Sequence, residues 1–281
     1  MTLYEMKTCA AETLSHFMRT MPNVPFVEND IIIEFVTQDK IVEKYMELQS
    51  KYAPEHIIND SQIQDLANNV FANALIGRKK SAVVVCIDPT LTKADMRRNL
   101  FHEYMHIFCA KTEIDGEHFI DIYGTGATKE TKSFDANYDG YISAGYKLWS
   151  EFIANYYAIK HTDNRIYTFK EAQPSIEMIC NEVTNENLIE SKNAFAYPCS
   201  YMFNCIDIDL VITKLSEPNF IWDDNEANGT ATRRAFRACM EHIQSQLRNE
   251  KPWKISEKYI YELGVKFLEF RMDNSLYLEN M

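Results

Sequence analysis

Within Leu100-Phe101-His102-Glu103-Tyr104-Met105-His106-Ile107-Phe108, two histidines stand four positions apart and a glutamate follows the first. On a helix, residues at i and i+4 project from one face, so both imidazoles can reach a single ion. Glu103, turned about 100° from His102, is a poor third ligand but can sit beside a metal-bound water as general base. The pattern is His-Glu-x-x-His, whose spacing suits zinc-dependent hydrolysis. A catalytic zinc takes three protein ligands and leaves a fourth position open, so a third ligand must come from elsewhere. The extended form of the motif is excluded, because Cys109 and Thr112 occupy the positions where it needs Gly and His. Downstream candidates are His118, Asp121, Asp135, Asp139, Glu151 and His161. Glu151 is the best of them: on a helix it shares a face with Ala154, Asn155 and Ala158, and small residues beside a carboxylate allow close approach to a neighbour. His161 lies nearly three turns beyond Glu151, roughly 15 Å, too far to share its ion.

The elements that must position these groups are visible in the hydrophobic periodicity. Residues 3–20 read as an amphipathic helix, 30–36 as a strand, and 39–51 as a second helix. Ser61 is placed to cap a helix through Ile76. The run 81–88 (SAVVVCID) is the clearest strand, and Thr92 opens a helix reaching about Ala110 that carries the motif. A short strand is expected at 118–123 and a long helix at 143–161, with mainly helical chain from Pro174 onward, including 231–249 and 255–272. Glycine numbers only 8, yet Gly116, Gly124, Gly126, Gly140 and Gly145 cluster between 115 and 145. That stretch reads as a loop, a candidate lid over the cleft.

Composition narrows the function. A net charge of −12 argues against nucleic acid as the main partner, since phosphate recognition depends on Lys and Arg. No apolar run approaches the roughly 18–20 residues that span a bilayer, and the first residues lack the pattern of a secretory signal, so no membrane partner and a cytoplasmic location are expected. Seven cysteines without a Cys-x-x-Cys pair read as reduced core residues.

Three segments together, Val83–Ile87, Arg97–His106 and Glu151–Ala158, resemble the ImmA/IrrE family of zincin-type metallopeptidases. In that family an Arg-rich lead enters the His-Glu-x-x-His helix, and a later Glu-x-x-Ala-Asn-x-aromatic-Ala helix opens on the third ligand. The resemblance implies an α+β, zincin-like fold with a small mixed sheet, over residues 1–163, and a mainly helical C-terminal region at 164–281. It implies one Zn2+ ion held by His102, His106 and Glu151, with Glu103 catalytic, and hydrolysis of a peptide bond in a cytoplasmic protein or peptide. It also implies that the strand at 83–87 lines the cleft and pairs with extended substrate. Met105 departs from the Gly often found before the second histidine, and the spacing to Glu151 is longer than in the family. The acids of 115–139 favour a basic or neutral substrate. The alternative is a regulatory or partner-binding module that keeps the fold without turnover.

Overall fold

Capping chemistry sets the first helix. Thr2 Oγ1 accepts the Glu5 amide at 3.2 Å while the Glu5 carboxylate accepts the Thr2 amide at 2.7 Å, and α1 follows at Leu3–Thr20. The β-branched run Ile31–Val36 is β1, and Ile41–Tyr52, with Ile41, Tyr45 and Leu48 buried along one stripe, is α2. Ala72–Leu75 is β2, Ser81–Cys86 is β3, and Lys93–Thr112 is α3. Among the described residues four further helices follow: α4 at Ala136–Thr162, α5 at Leu188–Phe203, α6 at Ala227–Leu247 and α7 at Glu257–Glu279. The computed structural model describes residues 1–54, 71–88, 90–112, 136–163, 188–204 and 227–279, with single residues at 63, 66, 67, 168, 179 and 183. The architecture is α+β, mainly helical with a small three-stranded mixed sheet.

The chain divides into two compact units, Met1–Lys129 with Lys160–Asp163 and Glu130–Ile159 with Asn164–Met281. In the first, the strand order is β1-β3-β2, β3 pairing in parallel with β1 and antiparallel with β2. β3 is buried along its whole length. Its Ala82, Val84 and Cys86 face Ile41, Tyr45 and Leu48 of α2, while α1 packs against α3. In the second unit, Phe195, Phe236, Phe267 and Phe270 join α5, α6 and α7 through ring contacts of 5.1–5.8 Å.

Three expectations need correction. The helix expected through Ile76 gives way to β2 at Ala72–Leu75: nothing in ANAL is β-branched, and pairing with β3 overrides its helical propensity. β3 is the central strand with both edges taken, so it cannot pair with a substrate. The loop expected through Gly145 is already helical from Ala136. Gly145 serves close packing rather than mobility: a Cβ there would overlap the Ile260 carbonyl oxygen of α7, and one on Gly264 would overlap the Tyr141 carbonyl oxygen of α4. The rest of that loop and the strand expected at 118–123 lie outside the described residues. Cys9, Cys86, Cys109, Cys199 and Cys239 are buried free thiols, and no described helix is long and apolar enough to cross a membrane.

Candidate metal centre

Thr92 Oγ1 accepts the Asp95 amide at 3.1 Å and starts α3, as the sequence predicts. Beyond that cap the helix is packed on nearly every side. Met96, Leu100, Phe101, Tyr104, Met105, Ile107 and Phe108 have no exposed surface. Phe101, Tyr104 and Phe108 meet Phe17 of α1 edge-on at 4.9, 5.8 and 6.0 Å. Apolar packing thus fixes the rotation of α3 and leaves His102 and His106 on a half-buried strip. Their Nε2 atoms are 2.9 Å apart with the rings at 81°, so the nitrogens converge on one point.

Glu103 projects to the side of that strip and is only 8% exposed. Its Oε2 accepts the backbone N–H of Ala74 at 2.7 Å, and its Oε1 lies 4.0 Å from His102 Nε2. The edge strand explains the donor. Phe71 accepts the Cys86 amide at 2.7 Å, so alternate residues of this segment face β3, and the Ala74 N–H points away from it. An otherwise unpaired edge amide therefore holds one oxygen of the motif carboxylate. Burial and the charge of Glu103 push the Tyr45 phenol of α2 well above its ordinary range.

Glu151 lies on α4, half-buried, with Ala154 and Ala158 fully buried beyond it and Asn155 Nδ2 donating to the Glu151 carbonyl at 2.8 Å. Lys192 of α5 places Nζ 3.5 Å from Glu151 Oε1. Lys192 is unforeseen from the sequence because it comes from a distant helix, 41 positions away.

The ligand atoms of His102, His106 and Glu151 lie within 4.8 Å of one another, all three residues half-buried. Two imidazole nitrogens and a carboxylate oxygen are a donor set that suits a divalent transition metal and keeps a position open. Two nitrogens bound to a tetrahedral ion stand about 3.3 Å apart, so the observed 2.9 Å needs to open by only a few tenths of an ångström. The donor set therefore fits a metal. His161 stacks on Phe101 at 5.4 Å and its carbonyl meets His16 Nε2 at 3.2 Å; burial pushes its imidazole down to about 4. His118, Asp121 and Asp135 lie outside the described residues, as does the side chain of Asp139. No family model, curated protein or solved structure matches the chain.

Proposed function

We propose that the chain is a zinc-dependent peptidase of zincin type, akin to the ImmA/IrrE family, acting on a protein or peptide in the cytoplasm. The gathering of His102, His106 and Glu151 within 4.8 Å carries this reading, with Glu103 next to the first ligand. Bound zinc would supply a Lewis acid that lowers the pKa of a water toward about 7 and polarises the scissile carbonyl. His102 and His106 offer ring nitrogens from a helix whose apolar packing fixes its rotation. Glu151 offers an anionic oxygen. Glu103 takes the proton of the attacking water and delivers it to the leaving amine; the Ala74 amide fixes its Oε2, so the carboxylate keeps one orientation through both transfers.

Protein purified without added metal is analysed for its elements, and cleavage across a proteome is compared between wild type and Glu103→Gln. The expected result is about one zinc per chain in both proteins and cuts made by the wild type alone. A fully active Glu103→Gln protein would remove the assigned role. Absence of zinc, with no thermal stabilisation when zinc is supplied, would favour a module without turnover, because a ligand of the native state must raise its stability.

A further inference from the structure

Lys93, Arg97 and Phe101 follow one another at intervals of four on α3 and so form one stripe. Both ends of that stripe meet α1. Lys93 Nζ lies 2.9 Å from Glu12 Oε2, and the Phe101 ring centre lies 6.1 Å from that of His16 and 4.9 Å from that of Phe17. Arg97, midway along the stripe, is therefore bracketed on α1 by Glu12 and His16, themselves one turn apart. Arg97 is half-buried; its Nε is fully buried without a hydrogen-bond partner, and the described residues offer the guanidinium no ion pair. The neighbouring bases differ. Arg98 holds Asp95 at 3.0 Å, and Lys93 holds Glu12, so of the three only Arg97 is left without a carboxylate. The Lys93 hydrogen bond and charge, and more weakly the charge of Arg97, keep the Glu12 carboxyl below its usual range. A guanidinium does not shed its proton in a protein, so the cost of covering it is not relieved by neutralisation. Met96, Leu100 and Phe101 beside it are fully buried and screen its charge poorly. In a chain with 41 acids and 29 bases, this groove sets two cations against one acid.

We propose that Arg97 and Lys93 form a phosphate-binding site in the groove between α1 and α3, taking a phosphate monoester carried by a small molecule or by a phosphorylated side chain. Nε and the adjacent Nη of Arg97 make a planar fork that matches two oxygens of one anion. Lys93 turns from Glu12 to a third oxygen: both side chains of that pair are more than half exposed, at 56% and 55%, and such pairs contribute little. Three acceptor oxygens and up to two negative charges favour a phosphate over a carboxylate, which offers two oxygens and one charge. His102 lies five residues beyond Arg97, about 140° round the helix, so this site is separate from the candidate metal centre and stands without it.

Isothermal titration of the full chain in phosphate-free buffer uses three probes: inorganic phosphate, acetate, and the blocked tripeptide acetyl-alanyl-phosphoseryl-alanine amide. Inorganic phosphate is expected to saturate the wild type with a Kd of about 1 mM or tighter, and acetate to bind at least about tenfold more weakly. Arg97→Met should weaken phosphate by about tenfold or more, and Lys93→Met by a smaller factor. Arg98→Met removes the same charge one residue away and should stay within about twofold of the wild type, because a distant exposed charge is screened. Tighter binding of the phosphopeptide than of inorganic phosphate identifies a phosphorylated side chain as the source; equal or weaker binding identifies a small ester. Urea unfolding without phosphate separates binding from folding: Arg97→Met should be at least as stable as the wild type, since the orphaned donor is gone. Acetate bound as tightly as phosphate, Arg97→Met or Lys93→Met binding as the wild type does, or Arg98→Met losing as much as Arg97→Met, overturns the proposal.

Discussion

On α3 the two imidazoles occupy a half-buried strip beside a sealed apolar face, whereas on α4 Glu151 lies beside the ammonium of Lys192. The α3 groups are two imidazoles beside a carboxylate pinned by a backbone amide. Glu151 is a carboxylate held by a lysine from another helix. The difference separates chemistry written in local spacing from chemistry assembled by tertiary contacts. A His-Glu-x-x-His pattern announces itself because both rings and the base sit within five residues. The environment of Glu151 depends on Lys192, 41 positions away.

The largest effects should fall on α3. Glu103→Gln is expected to lower hydrolysis roughly 10²–10⁴-fold, the usual contribution of a positioned general base, with zinc content unchanged by elemental analysis. His106→Ala should leave near-zero zinc under the same purification. If Glu151 is a true ligand, Glu151→Gln should weaken zinc by more than about 100-fold, beyond the 10–100-fold typical of losing an outer partner. Unchanged affinity in a competition titration would leave α3 as the sole metal-binding element and break the comparison.

Glycines on α4 sharpen it further. Gly145→Ala should destabilise by about 3 kcal/mol in urea unfolding, because the new methyl overlaps backbone atoms of Ile260 and Gly264 that have no room to relax. Gly140, five residues earlier on the same helix, has nothing within 4 Å of a built Cβ, and Gly140→Ala should stabilise by about 0.5–1 kcal/mol. Equal responses at the two positions would remove the packing explanation for Gly145.

These glycines also show where sequence reading stops. β1, β3, α1, α2 and α3 were legible because their apolar periodicity and capping residues agree with the fold. The start of α4 was not, since glycine reads as a loop breaker until the chain it packs against is known. β2 was not, because Ala72-Asn73-Ala74-Leu75 acquires strand form only from its neighbour β3. The same omission hid the Ala74 amide, and made β3 look like the edge that a substrate would use. At the candidate site the motif gave His102, Glu103 and His106 directly. Glu151 came from its helical face and the resemblance together, and the Lys192 contact was not foreseen as part of the site.

Histidine itself completes the contrast, since His161 at the end of α4 is the same residue type as His102 in a different role. It stacks on Phe101, and burial holds its imidazole at about 4, below its ordinary 6.5. Above pH 6.5 the ring is neutral in both folded and unfolded chains, and it has no effect on the pH dependence of stability. As pH falls from 6.5 toward 4 the unfolded chain takes up a proton that the folded chain refuses, so stability declines through that window. Below about 4 both states are protonated and the loss becomes constant. Because part of the ring remains in contact with solvent, the full shift is not available as stability, and the loss should be a few tenths to about 1 kcal/mol. His161→Phe keeps an aromatic surface for Phe101 and removes the titration. Urea midpoints at pH 7.5 and pH 5.0 should therefore fall further in the wild type than in His161→Phe, the excess drop being that same fraction of a kcal/mol. Identical pH dependence in the two proteins would mean that His161 is protonated as readily in the folded chain as in the unfolded one, contrary to its burial against Phe101.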